Sequence, residues 1–280
     1  MSVRKPAVAG QFYPADAREL SELIDHCYTH PLGPGRHPPA EETKASRVAI
    51  VAPHAGYVYS GPVAAHSYLH VSSLRNPEII VVVAPNHYGI GSGVSTFRSG
   101  QWETPLGRLR VDQSAAKELT DLAEIVSFDP DAHRLEHSLE VQLPFLQRIY
   151  GDAVPILPVS LLFQDIDTVK SVSAAIAEIA KGRRAVLVAS SDLTHYEPAD
   201  EAKNKDLKLL QEVLELDLDG FYSTLERENV TSCGFGAIAT VMETAKALGL
   251  THPELLKYAT SGDTTGDNLQ VVGYGALRFV

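Results

Sequence analysis

The chain has 280 residues, 44% hydrophobic and 21% charged, with a formal net charge of −11, an ordinary globular composition whose acidic balance argues against nucleic-acid binding through basic patches. Two cysteines, Cys27 and Cys233, are too few for a disulfide framework and point to the reducing cytosol. The opening Met1–Pro6 leads into no apolar leader, and no window approaches the roughly 20 apolar residues of a membrane span, so a cytoplasmic protein with no membrane partner is expected.

Short β-branched runs alternate with amphipathic segments along the chain. The periodicity predicts helices over Ala17–Tyr28, Ser114–Ile125, Leu139–Tyr150, Ile166–Ala180, Ala202–Leu216 and Ala237–Leu248. Continuous apolar runs at Arg47–Pro53, Glu78–Pro85, Val154–Ser160 and Ala185–Ser191 predict strands buried on both faces, and Leu269–Val280 predicts a late strand. The rhythm is that of an α/β fold, a mixed and largely parallel sheet flanked by helices. The Pro/Gly-rich stretch Pro31–Pro39 follows only one helix and reads as an exposed loop, so a single domain spanning 1–280 is the simplest organisation.

The chemistry is expected where strands end. Open α/β sheets bind ligands beyond the carboxyl ends of their strands, and three of these strands run into polar clusters: Pro53-His54-Ala55-Gly56-Tyr57, Pro85-Asn86-His87-Tyr88-Gly89 and Ser190-Ser191-Asp192-Leu193-Thr194-His195-Tyr196. If the strands are parallel neighbours, the clusters meet at one edge. Imidazoles converging in this way suit a mononuclear metal site on His54 and His87. Taken singly, each histidine could equally cap or pack locally. Cys233, just before a helix, is the candidate third ligand, since a helix N-terminus favours the thiolate; a small buried hydrophobe is the alternative, and that is the reading for Cys27. In Glu136-His137-Ser138-Leu139-Glu140, residues 137 and 140 would share a helix face with Ser138 as its cap, forming either a solvated helix start or a support for the site. The loop Ser261–Asp267 either lines the pocket or is a hairpin connection.

Taken together, these blocks resemble the Memo family, whose prokaryotic members are labelled AmmeMemoRadiSam system protein B. The resemblance rests on Arg4–Pro14 (RKPAVAGQFYP), the Pro-His-Ala-Gly-Tyr and Pro-Asn-His clusters, Glu136–Glu140 with Gln142–Phe145, Ser191–Tyr196, Cys233-Gly234 and Ser261-Gly262-Asp263. It implies a fold similar to the class III extradiol non-haem iron dioxygenases, such as protocatechuate 4,5-dioxygenase. Carried onto this chain, the resemblance makes His54, His87 and Cys233 the metal ligands. It puts His195, with Asp192 beside it, in an acid–base role. The enzyme reading adds His137 to the catalytic candidates and sets Tyr57, Asn86 and Glu136 against a substrate. The resemblance implies Fe(II), with Cu(I) or Zn(II) as alternatives because a thiolate is softer than a carboxylate, and a small phenolic or diol substrate together with dioxygen. A non-catalytic pocket for a phosphorylated or anionic peptide, and copper or iron sequestration, are the other functions the family suggests.

Overall fold

The computed structural model describes residues 2–280. Strand β1 (Val3–Arg4) and helix α1 (Ala17–Thr29) precede strand β2 (Arg47–Ala52), helix α2 (Tyr57–Val71) and strand β3 (Ile79–Pro85). Shorter pieces follow: β4 (Val94–Thr96), β5 (Gln101–Thr104), β6 (Gly107–Arg110), α3 (Gln113–Leu122), β7 (Val126–Phe128), α4 (Asp131–Arg134) and a 3-10 turn at Glu140–Gln142. Then come α5 (Leu143–Tyr150), β8 (Ile156–Leu161), α6 (Ile166–Ala180), β9 (Ala185–Ser190) and β10 (His195–Glu197). The chain closes with α7 (Ala199–Glu215), α8 (Leu218–Arg227), α9 (Phe235–Ala247), β11 (Pro253–Thr260), α10 (Gly262–Thr265) and β12 (Val271–Phe279).

The main sheet has the order β10-β12-β2-β9-β3-β8-β4-β7, with β11 also paired to β12. Its centre, β2-β9-β3-β8, is parallel. The strands β12 and β4 join its two sides antiparallel. Every residue of β3, β8 and β9 is buried, which is why these strands read as unbroken apolar runs: helices cover both faces, and no face alternates with water. The crossover β2-α2-β3 steps one way across the sheet and β8-α6-β9 steps back. Right-handed crossovers then put α2 and α6 on opposite faces, where α2 packs with α1 and α5, and α6 with α3 and α9.

Helix α2 was not legible as a helix. Eleven of its 15 residues are buried, so it presents no polar stripe to carry a 3.6-residue period. The expected helix from Leu139 is another difference. Residues 135–139 are irregular, and regular α-helix starts at Leu143. Ser138 caps nothing; its hydroxyl donates to Pro85 O at 2.9 Å. His137 and Glu140 therefore do not share a helix face, and they point to different partners.

Candidate metal centre

Strands β2, β9 and β3 are adjacent and parallel, so their carboxyl ends lie abreast. His54 and Asp192 each follow a strand end by two residues, as does His87, and all three arrive at one edge. His137 comes from the irregular segment before the 3-10 turn. His54, His87 and His137 form a group that could hold a metal ion, with one ring nitrogen from each lying within 4.8 Å of the others. The ring centroids stand 5.3 Å (54–87), 5.5 Å (54–137) and 4.7 Å (87–137) apart.

The hydrogen bonds behind the rings decide which nitrogen faces the centre. Ser190 Oγ gives its single proton to Ser138 O at 2.7 Å, so toward His54 Nδ1, 2.9 Å away, it can only accept. His54 therefore carries its proton on Nδ1 and turns an unprotonated Nε2 to the cavity. Glu136 does the same for His87. Its carboxylate accepts from His87 Nδ1 at 2.9 Å, from His87 N at 2.6 Å and from Ser138 N at 2.9 Å. Burial alone would raise the Glu136 pKa, but these donors hold it down to about 2, so it is an acceptor only, and His87 Nε2 is left free. Burial lowers the pKa of His54 and takes that of His137 to about 4, so both rings are neutral at pH 7 with lone pairs available. Imidazoles whose far nitrogens are fixed by a hydroxyl and a carboxylate are the arrangement metal-binding histidines require, and these residues fit a metal.

Cys233 lies outside the three-imidazole group but touches it, its Sγ 3.1 Å from His54 Nε2. The expected helix-stabilised thiolate is not what the fold produces. Burial, and then the nearby Asp192 carboxyl, push the Cys233 thiol up, away from ionisation. Asp192 is itself buried, which raises its pKa, while the His54 N–H donated to its Oδ1 at 2.7 Å works the other way. His195 sits across the cavity. Its backbone N–H donates to Thr231 Oγ1 at 2.7 Å, and its Nδ1 lies 3.0 Å from Thr231 O. A carbonyl can only accept, so Nδ1 carries the proton and Nε2 is the free nitrogen.

The cavity in front of these rings encloses about 610 Å³. None of the three residues expected to meet substrate lines it. Tyr57 is 1% exposed, packed on Tyr13 and Phe145, with its hydroxyl donating to Val141 O at 2.6 Å. Asn86 braces the loop after β3, its Nδ2 donating to Ile90 O at 2.7 Å and its Oδ1 accepting from Gly89 N at 3.1 Å. Glu136 lies behind His87 rather than in the cavity. The walls are instead Phe12, Tyr59, Tyr196 and Tyr274, and the loop after β11 contributes Ser261, Thr265 and Asp267, so that loop both joins two antiparallel strands and lines the site.

Phe12 had no chemical signal of its own. It reaches the site because Glu140 clasps the N-terminal segment. The Glu140 carboxylate accepts from the Arg4 guanidinium, from Ala7 N at 2.8 Å, from Val8 N at 3.1 Å and from the Tyr13 hydroxyl. The Phe12 ring then packs 4.6 Å from His137.

Comparison with known proteins agrees with this architecture. The Memo family model, described as "Memo-like protein", matches residues 4–278. A MEMO1 family protein of Nitrosopumilus maritimus is 47% identical over 99% of this chain and 100% of its own length. A MEMO1 family protein of Methanopyrus kandleri is 46% identical over 99% and 98%. Among solved structures, the uncharacterized protein JW3007 from Escherichia coli K12 aligns with a TM-score of 0.54 at 17% identity, covering 83% of this chain and 99% of its own, which is a likeness of fold alone. Matched from end to end by the family model and nearly half identical to those relatives over their full lengths, the chain belongs to the Memo family.

Proposed function

We propose that the chain is a mononuclear metal-dependent oxidoreductase of the non-haem Fe(II) dioxygenase type, acting with dioxygen on a small phenolic or diol substrate. The observation that carries this reading is the set of three imidazoles, His54, His87 and His137, at the floor of an aromatic-walled cavity, the first two with Nε2 turned inward. His54 and His87 would hold the metal. His137 is the third imidazole of the group, and Cys233, against His54 Nε2, is the anionic donor that becomes available if a metal displaces its proton. Bound iron would supply a Lewis-acidic, redox-active centre.

The protein's own groups account for the remaining steps. Phe12, Tyr59, Tyr196 and Tyr274 would stack on or edge a planar ring and exclude water from it. His195 Nε2, fixed by the Thr231 carbonyl on the far side of its ring, would take the proton of a substrate hydroxyl, and the imidazolium so formed lies near the Asp192 carboxyl. Among the described residues no arginine or lysine lines the cavity, which weighs against a phosphopeptide, since such sites are built on arginine clusters.

The test is metal analysis of anaerobically prepared protein, followed by oxygen uptake with a panel of catechols. His54→Ala and His87→Ala should each lose metal. His195→Gln should keep metal and lose oxygen uptake. Comparing metal retention in His137→Ala and Cys233→Ser identifies the third ligand. Stoichiometric metal with no oxygen uptake on any catechol would refute the catalytic reading and favour sequestration, with tight Cu(I) binding as its signature.

A further inference from the structure

The carboxyl end of β8 leads into a groove of about 1260 Å³ that shares no lining residue with the metal cavity. One wall is α8, whose Asp219, Tyr222, Ser223 and Glu226 lie at i, i+3, i+4 and i+7 and so form a single helix face. The other wall is the loop after β8 with the first turn of α6, and both helices pack on α9. The Tyr222 hydroxyl donates to Gln164 O at 2.5 Å and ties α8 to that loop. The Gln164 side chain accepts from Gly236 N at 2.8 Å and donates to Cys233 O at 3.0 Å, so the segment that carries Cys233 backs the groove.

The surface of this groove is apolar and acidic at once. Ile166, Leu225 and Phe235 line it half-buried, and Phe163 stands 53% exposed at its edge. The Phe163 ring also lines an adjoining hollow together with Leu122, which is 50% exposed. Large apolar side chains left half in water on one continuous surface mark a place that gains by being covered. Asp167, Asp219 and Glu226 line the groove and Glu124 the adjoining hollow, and none of them has a basic partner within 4.0 Å among the described residues. Asp165 is engaged in capping α6 through Thr168. Lys170 is the one basic side chain among the described residues lining either hollow. Such a field attracts a cationic partner and repels an acidic one, which disfavours a second copy of a chain with net charge −11. A trough between two helices, apolar within and charged along its walls, suits recognition of an amphipathic helix.

We propose that this groove docks a basic amphipathic helix of a partner protein. The apolar stripe of that helix lies on Phe163, Ile166 and Leu225, and its lysines or arginines face Asp167, Asp219 and Glu226. The experiment adds to the full chain a synthetic helical peptide of leucine, lysine and alanine, with leucines at i, i+3, i+4 and i+7 and lysines on the remaining faces. Its controls are the same residues in scrambled order and the same pattern with glutamate in place of lysine. Backbone amide shifts by NMR locate the site, and calorimetry gives the affinity. The expected result is saturable binding that moves the amides of residues 163–170 and 219–226 and leaves those of His54 and His87 unmoved. Binding should weaken as salt rises from about 0.1 M to about 1 M, where the screening length shrinks from about 10 Å to about 3 Å. The scrambled peptide should bind at least about tenfold more weakly, because it keeps the charge and loses the stripe, and the glutamate peptide should not bind. Phe163→Ala should weaken the lysine peptide by about tenfold or more, and Glu226→Gln by up to about fivefold, the ratio one exposed ion pair supports. Unchanged metal content and circular dichroism in both variants would show that the fold is intact. Four results overturn the proposal: no saturable binding of the lysine peptide up to about 1 mM, equal binding of the scrambled peptide, shifts centred on another surface, or affinities in both variants equal to that of the unaltered chain. Self-association of the chain alone that moves the groove amides also overturns it and assigns the groove to a second copy.

Discussion

Replacing Glu136 by glutamine tests whether the hydrogen bonds behind the rings set the metal affinity. The carboxylate accepts three hydrogen bonds, two of them from His87. Glutamine keeps one acceptor oxygen and gains an NH2 that can donate to His87 Nδ1. That donation would move the His87 proton to Nε2, the nitrogen that faces the cavity, and a protonated nitrogen cannot ligate. Disturbing the groups that orient metal-binding histidines typically costs 10–100-fold in affinity, or about 1.4–2.7 kcal/mol. The fold should also lose about 1–3 kcal/mol, the cost of weakened charged hydrogen bonds with a donor left unpaired. Competition of Zn(II) or Fe(II) against a chelator measures the affinity anaerobically, and urea unfolding without metal measures the second quantity. If Glu136→Gln binds metal within about threefold of the unaltered protein while His87→Ala loses it, tautomer control by Glu136 is not what prepares the site.

Three further outcomes follow from the packing. Glu140→Gln leaves the Arg4 guanidinium buried without its charge partner; the cost should be about 3–5 kcal/mol, a fall of roughly 6–20 °C in melting temperature, and a fall under about 2 °C would refute the clasp. Burial, reinforced by Arg4, depresses the His133 pKa to about 3, so the unfolded chain takes up this proton near pH 6.5 and the folded one does not. Stability should therefore be undiminished by this group above pH 6.5 and fall by up to about 1.4 kcal/mol per pH unit as pH drops toward 3; in His133→Leu the pH dependence of the urea midpoint should lose about one proton, and an unchanged slope would contradict the assignment. Gly61→Ala would set a Cβ 2.5 Å from Cys27 Sγ, a helix–helix overlap worth about 1–3 kcal/mol. Pairing it with Cys27→Ala should recover part of that loss, and strict additivity of the two would show that the contact relaxes freely.

Local sequence carried most of the framework. The central strands are unbroken β-branched runs because both their faces are covered, and a two-sided burial pattern can be read without knowing the neighbours. The histidines after β2 and β3 stood out because each follows a proline at the end of such a run. Whether the two meet depends on which strands are neighbours. The strand order β2-β9-β3, a long-range pairing that local propensity does not encode, brings them together. Where local signals conflicted with burial, burial won. The helix N-terminus that should have favoured a Cys233 thiolate is outweighed by desolvation and by Asp192. Tyr57, expected against a substrate, opens a helix and is buried in the core, and the exposed Tyr59 takes the cavity wall.

By itself, then, the sequence determined most of the element types, though not α2, together with the buried strands and the residue kinds available for metal chemistry, since these depend on neighbours a few positions away. Tertiary structure alone decided that His137 stands beside His54 and His87, that Glu136 fixes the proton of His87, and that Phe12 lines the cavity through a clasp 128 positions away in sequence, Glu140. Those are contacts between side chains distant in the chain, set by strand order and by burial of charge, and no window of local periodicity contains both partners.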